Sequence, residues 1–233
     1  MGESKARLKA GFLIDVILDH RGKVKKIAIA MSAVALVALA APVAHAAPVC
    51  QGLQSTIVGT SAGETLTGTS GDDVIYAGGG NDTVNAGSGD DTVCGNSGDD
   101  ILNGSNGRDR IAGADGNDEL NGGLGFDHLL GGLDDDSGSG GVGNDVYKGG
   151  PGNDDFNGGT GSDTLYGLSG NDTIGSTDGS SDISPDRIFG GIGNDTMYAQ
   201  DGSQDLLSGQ DGTDTCIGDD IDEYSGCEVS NQA

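Results

Sequence analysis

Gly78–Cys94 reads GGGNDTVNAGSGDDTVC. Glycine is dense, Asp82 and Asp91 stand nine residues apart, and one aliphatic residue, Val84 or Val93, follows each Asp by two. A low-complexity tract that never folds and a unit that folds only with help from outside the chain would both look like this. The spacing separates them. Laid out in nines from Gly59, the chain keeps one phase for thirteen units to Gly175, as in GTSGDDVIY (68–76), GGLGFDHLL (122–130) and GGTGSDTLY (158–166). Five residues, 176–180, interrupt; the phase resumes over 181–207, and after Ser208 a last unit, GQDGTDTCI, fills 209–217, making seventeen units. Position 4 is Gly in fourteen of them, position 6 is acidic in sixteen with Gln204 the departure, and position 8 is apolar in sixteen with Gly138 the departure. Unphased Gly/Asp filler would scatter these residue types, so that reading fails.

Each position then has a physical task. Glycine at positions 1, 2 and 4 permits the left-handed backbone of a tight turn and lets carbonyls crowd one point with no Cβ in the way. Positions 7 to 9 read as a short strand in which residue 8 points inward and residues 7 and 9 outward. Two units make one flattened coil with a strand on each side, and coils stack at about 4.8 Å into two parallel sheets. The expected fold is all-β, a parallel β-roll (β-solenoid) of about 17 nonapeptide repeats, two per coil, in about eight coils. Thr83, Thr92, Thr164, Thr173 and Thr196 at position 7, and Tyr76, Tyr166 and Tyr198 at position 9, suit an outward strand surface.

Charge says what such a roll lacks. The chain of 233 residues carries a formal charge of −26, and residues 1–46 hold seven of its eleven basic residues. Residues 47–233 have only Arg108, Arg110, Lys148 and Arg187 against 34 acids. Nucleic acid and anionic membranes are poor partners for such a segment, and cations are good ones. Small inward side chains alone do not offset the ordering of so much glycine, and a carboxylate in every turn places like charges one coil apart. A hard divalent cation removes that obstacle. Calcium takes six to eight oxygen ligands in irregular geometry, whereas magnesium demands a tight octahedron and holds its water. Several Ca²⁺, on the order of ten, would offset most of the charge and couple binding to folding.

The unit GGxGxDxUx resembles the RTX, or hemolysin-type, calcium-binding repeat over residues 59–217. The resemblance implies a β-roll with calcium in the turns and Asp at position 6 as the side-chain ligand. Carried over, those ligands are Asp73, Asp82, Asp91, Asp100, Asp109, Asp118, Asp127, Asp145, Asp154, Asp163, Asp172 and Asp195. Asp136 is set apart because its unit, GGLDDDSGS, lacks Gly at position 4 and an inward apolar residue; Asp186 adjoins the insertion, and Glu64 and Asp214 lie at the ends. Many RTX proteins carry a lipase, protease or pore-forming domain and an uncleaved C-terminal export signal. This chain looks more like the stand-alone, cysteine-capped forms, and nothing in it reads as a membrane-inserting segment.

The organisation expected around the roll is a signal peptide over 1–46, caps over 47–58 and 218–233, and the roll over 59–217 with its insertion at 176–180. Arg21–Lys26 is a basic region, Ile27–Ala41 an apolar one, and Ala44-His45-Ala46 a small-x-small cleavage site; a start at Val24 would give a more compact leader. The protein is then secreted and extracellular. Ser55–Val58 reads as a strand covering the first coil, and Asp219–Val229 as the other closure. Four cysteines allow three pairings. The length of the rod separates Cys50 and Cys94 from Cys216 and Cys227, so the pairs are Cys50–Cys94 and Cys216–Cys227.

Catalytic constellations are missing: no HExxH, GxSxG or Walker-type loop occurs. His128 reads as solvated strand surface, Arg108 and Arg110 as plain surface, and the pairs Asp72-Asp73, Asp90-Asp91 and Asp99-Asp100 as turn residues. The expectation is a monomeric, non-enzymatic calcium-binding protein with no macromolecular partner named by its sequence. The alternatives are an adhesion or matrix protein using the loaded roll as surface or spacer, and an accessory module of a secreted hydrolase.

Overall fold

An inward residue every nine positions can be buried only if the chain returns to one axis every half coil. The computed structural model describes residues 6–7, 13–18, 24–30, 49–176 and 184–232. They fall into two units, Met1–His45 and Ala46–Ala233. In the first, strands Ala6–Arg7, Leu13–Leu18 and Val24–Ala30 form an antiparallel sheet. Val24–Ala30 takes in parts of the expected basic and apolar regions; the remaining apolar run and the cleavage site lie outside the described residues.

The second unit is a parallel β-solenoid of about nine turns, with no helix among the described residues. Successive strands alternate between two ten-stranded sheets. The first sheet includes Val74–Gly79, Thr92–Ser97, Arg110–Asp115 and His128–Leu133; the second includes Thr83–Ser88, Ile101–Asn106, Glu119–Leu124 and Ser137–Val142. Partners in a sheet are 18 residues apart in the regular part, as in Ile111 opposite Val93 and Leu129 opposite Ile111. There are more turns than seventeen units supply because the caps add strands. Ile57–Val58 extends the first sheet at one end, and Glu223–Ser225 and Val229–Gln232 extend the two sheets at the other. Before the roll, Val49–Cys50 and Leu53–Gln54 pair antiparallel. Both expected disulfides are formed, Cys50–Cys94 and Cys216–Cys227, each with Cα atoms 5.8 Å apart.

Strands run through positions 7, 8, 9, 1, 2 and 3, longer than the three residues expected. Positions 8 and 1 are both buried, which explains the difference: the inward surface needs a large residue and, two further on, a very small one. Ile75, Val93, Ile111, Leu165 and Ile188 form the inward row of the first sheet, with Val84, Leu102, Leu120, Ile174 and Met197 in the second. Where Gly138 leaves position 8 without a side chain, Tyr147 and Phe156 stack with ring centroids 4.2 Å apart. The Tyr147 hydroxyl donates to the Ser137 carbonyl at 3.0 Å, so the irregular unit GGLDDDSGS is filled from its neighbours.

The left-handed backbone falls at positions 2 and 4, as at Gly123 (φ 112°) and Gly125 (φ 147°), and not at position 1. Position 2 also accepts side chains at positive φ: Asn96, Ser105, Ala114, Leu168 and Gln210. Of the two causes expected for glycine at position 1, only the second therefore applies. A Cβ on Gly122 would strike the Gly140 carbonyl oxygen and lie 2.5 Å from Oδ2 of Asp127. Space, rather than φ, excludes a side chain there.

Candidate metal centre

Each position-6 residue sits where a turn enters a strand, and its backbone is held on both sides. The Asp100 carbonyl accepts the Glu119 N–H at 2.8 Å, and the Asp100 N–H donates to Oδ1 of Asp118 at 2.8 Å. That second bond repeats with the coil. Asp73, Asp91, Asp109, Asp127, Asp145, Asp163, Asp186, Asp205 and Asp222 form one column, in which each N–H donates to Oδ1 of the next. Asp82, Asp100, Asp118, Asp136, Asp154, Asp172, Asp195 and Asp214 form the other, which Glu64 opens and Glu228 closes. The columns thus hold every Asp named from the sequence, together with the four acids set apart. Asp136 keeps its place although its unit departs from the pattern.

One oxygen of each carboxylate is used in this way. The other is turned into the roll. Oδ2 of Asp82, Asp91, Asp100, Asp109, Asp118, Asp127, Asp136, Asp145, Asp154, Asp172, Asp195 and Asp214 is buried with no protein hydrogen-bond partner. Beside Oδ2 of Asp100, Asp109, Asp118, Asp127, Asp136, Asp145 and Asp172 lie the position-1 glycine of the same unit and the carbonyl oxygen of the position-1 glycine one coil on; Asp82 and Asp91 have Ala77 and Ala86 at position 1 instead. A Cβ built on Gly104 would meet both Oδ2 of Asp109 and, at 2.7 Å, the Gly122 carbonyl; one on Gly113 would meet Oδ2 of Asp118 and, at 2.7 Å, the Gly131 carbonyl. Each of these glycine cradles is therefore an anionic oxygen, a neutral carbonyl oxygen and a gap kept open by a missing side chain.

A buried carboxylate without a counter-charge holds its proton. Burial, then the backbone hydrogen bond against it and the carboxylates of neighbouring coils, raises Asp109, Asp118, Asp136 and Asp172 to about 7. Asp100, Asp127, Asp145 and Asp154 rise to about 6. Buried orphan oxygens are costly in a native protein unless a partner enters. The donor set here is all oxygen, part carboxylate and part carbonyl, which suits a hard divalent cation of flexible coordination such as calcium.

The first two turns are built otherwise. Thr69 at position 2 donates its N–H (2.6 Å) and hydroxyl (2.9 Å) to Oδ2 of Asp73, and Thr60 donates its N–H to Oε2 of Glu64 at 3.0 Å and its hydroxyl to Oε1 at 2.6 Å. Ser176 likewise gives its hydroxyl to Oδ2 of Asp186. In the first two turns a pair of protein donors already satisfies the carboxylate, whereas Oδ2 of Asp186 takes one donor and keeps a second lone pair.

Three features escaped sequence reading. Position 5 forms an outer ladder in the opposite sense. The Asp90 N–H donates to Asp72 Oδ1 at 2.9 Å, Asn153 to Asp135 at 2.7 Å and Asn194 to Asn171 at 2.8 Å. The signal was present, since position 5 is Asn or Asp in ten of seventeen units. Where it is Arg108 and then Phe126, the guanidinium lies 5.8 Å from the ring centroid, a cation–π contact in place of the amide bond. Second, the extra residue near the end of the roll is not Ser208. Leu206 pairs with Arg187 and Leu207 with Ile188, so it lies in the turn before Asp205. Asp205 therefore takes position 6 in place of Gln204, and Leu207, fully buried, takes position 8 in place of Leu206. Third, Asp222 and Glu228 end the columns from a segment with no repeat.

His128 stands on the outer face of the first sheet, where partial burial and the charges of Arg110 and Lys148 lower its pKa. No curated protein matches the chain. Among protein families, the RTX calcium-binding nonapeptide repeat (4 copies) matches at residues 58–93, 95–129, 113–147, 148–183 and 184–203. With the turn geometry it describes in place through two columns of carboxylates, the chain belongs to the RTX calcium-binding repeat family.

Proposed function

We propose that this calcium-binding β-roll is a secreted protein that folds when its turns meet extracellular calcium, and that its role is structural rather than catalytic. One observation carries the reading: buried Oδ2 oxygens without protein donors face carbonyls that a position-1 glycine leaves bare. Bound calcium supplies the positive charge that the roll lacks. Asp82, Asp91, Asp100, Asp109, Asp118, Asp127, Asp145, Asp154, Asp163, Asp172 and Asp195 are the proposed carboxylate ligands, and the columns add Asp136 and Asp214. Their Oδ1 hydrogen bonds hold each carboxylate aimed, and glycines such as Gly104 and Gly122 keep the gap open. Asp73 contributes least, its Oδ2 being occupied by Thr69. Two disulfides agree with an oxidising compartment.

Circular dichroism of the full chain, titrated with Ca²⁺ and Mg²⁺ from chelator, tests the reading. Strand signal should appear with calcium at concentrations where magnesium gives little. A spectrum indifferent to chelation would overturn it.

The adhesion alternative draws on one observation. The outer face of the first sheet gathers Arg110, His128, Lys148 and Arg187, with Tyr166 and Phe189 stacked at 5.0 Å and the Lys148 ammonium 5.7 Å from the Tyr166 centroid. Cationic and aromatic groups in a row suit an anionic glycan. Retention of the calcium-loaded protein on uronic-acid polymers, lost in Arg110→Ala with Lys148→Ala, would favour this reading.

A further inference from the structure

We infer that the turn between Ala199 and Asp205 builds a divalent-cation site of different construction from the repeat cradles, held by Asp186, Asp201 and Asp205, and that it is the tightest site of the roll. The inference rests on the calcium reading above and adds to it a site that the nonapeptide pattern does not contain. In a regular unit four residues separate position 1 from the end of the turn at position 6, as between Gly122 and Asp127; here Ala199 and Asp205 hold those places with five between them. The longer turn carries Asp201 to the column. One carboxylate oxygen from each of Asp186, Asp201 and Asp205 lies within 4.8 Å of the others. Asp205 is 1% exposed, and its Oδ2 has no hydrogen-bond partner; Oδ2 of Asp201 is likewise buried and unmatched.

The contrast with a repeat cradle is one of charge. A cradle brings a single Oδ2 to a backbone carbonyl, whereas this turn brings three carboxylates together. Calcium affinity rises with the number of charged ligands and with the rigidity of the site. Rigidity is supplied here: Asp163 N–H holds Oδ1 of Asp186 at 2.6 Å, Asp186 N–H holds Oδ1 of Asp205 at 2.8 Å, and Ser203 N–H holds Oδ1 of Asp201 at 2.6 Å. The Ser176 hydroxyl steadies Asp186, and the Ser203 hydroxyl donates to Oδ1 of Asp205. Asp219 adds a further negative charge close by, taking the Gly202 N–H at 2.6 Å. Such a group of acids repels itself unless a cation joins it.

The place matters as much as the charge. Register offsets change here from 18 residues to 23 (Thr164 to Arg187) and then 19 (Arg187 to Leu206). Periodicity cannot align these coils, and a tight site across Asp186 and Asp205 does so by tying one coil to the next.

Calorimetric titration of the full chain with Ca²⁺, competed by a chelator, tests the site. The unsubstituted protein should bind one ion at least about tenfold more tightly than the others. Asp201→Asn should remove that step while the weaker uptake and the strand signal at millimolar calcium remain. Asp201→Ser, which can still accept the Ser203 N–H without a charge, should do the same and separates loss of a ligand from loss of the turn. A tight step that survives both substitutions, or a single class of equal sites in the unsubstituted protein, overturns the inference and leaves the calcium roll standing. No uptake of calcium by the unsubstituted chain overturns the underlying reading as well.

Discussion

The coils of residues 95–175 and those of residues 184–228 share one architecture and reach it by different means. In the first stretch the turns repeat one construction, seen at Asp109 and Asp118: Oδ1 on a backbone N–H, Oδ2 unmatched, and glycine at position 1. Between them Ser176 stands where a glycine would and an insertion breaks the period; in the second an extra residue breaks it again, and Asp222 and Glu228 complete the columns from non-repeating sequence. The coils nevertheless stack. What the roll requires is a carboxylate within reach of the N–H below and an apolar side chain beneath it; the count of nine is the commonest route to both.

Withdrawing calcium should expose the contrast most. With stepwise chelation, hydrogen exchange should open the amides of Glu119–Leu124 and Ser137–Val142 first and those of Arg187–Ile192 and Leu206–Asp211 last. Simultaneous opening would make the two stretches equivalent. Next in size is Gly122→Val, which fills a cradle against the Gly140 carbonyl and Asp127. It should raise the calcium midpoint for strand formation by at least about tenfold, whereas Glu64→Gln, at an acid already satisfied by Thr60, should move it little.

Acidity should act with opposite signs on the two forms. In the metal-free roll Asp109, Asp118 and Asp136 are raised to about 7, while in the unfolded chain they titrate near about 4. The folded form then binds more protons between those values, so its metal-free stability is greatest at the acid end and is lost as pH rises through about 7. Protons and calcium compete for the same carboxylates, so calcium affinity falls as pH drops below about 7. Dichroism should show more strand at pH 5 than at pH 8 in chelator, together with a higher calcium midpoint at pH 5.

The smallest effects belong to the outside of the turn. Asn153→Ala removes one exposed rung of the outer ladder and should cost about 0.5–1.5 kcal/mol in urea unfolding of the calcium-loaded form. Leu168→Gly relieves a side chain held at φ 83° and should stabilise by about 0.5–1 kcal/mol.

Much of this was legible in sequence because two rules of different period coincide. Alternation placed Leu102, Ile111 and Leu120 inward, and nine-residue spacing stacked Asp100 on Asp118. At position 1 the two reasons for glycine could not be told apart, because a glycine demanded by φ and a glycine demanded by space look the same in sequence; only the carbonyl above Gly122 separates them. Gln204 and Leu206 were misassigned because counting cannot tell an extra residue inside a turn from one after a strand. Burial of Leu207 decides it. Asp222 and Glu228 carried no signal, since each acts as a single last rung and a single rung has no period.

The inner hydrogen bonds run in one direction along the rod. The N–H of Asp100 waits for a carboxylate 18 residues further on, and that of Asp118 for one 18 further still. A chain leaving a pore amino end first therefore presents donors whose acceptors have not yet emerged. If the protein is exported as proposed, each newly released coil would seal the one before it, one rung at a time, with Asp222 and Glu228 closing the two columns last.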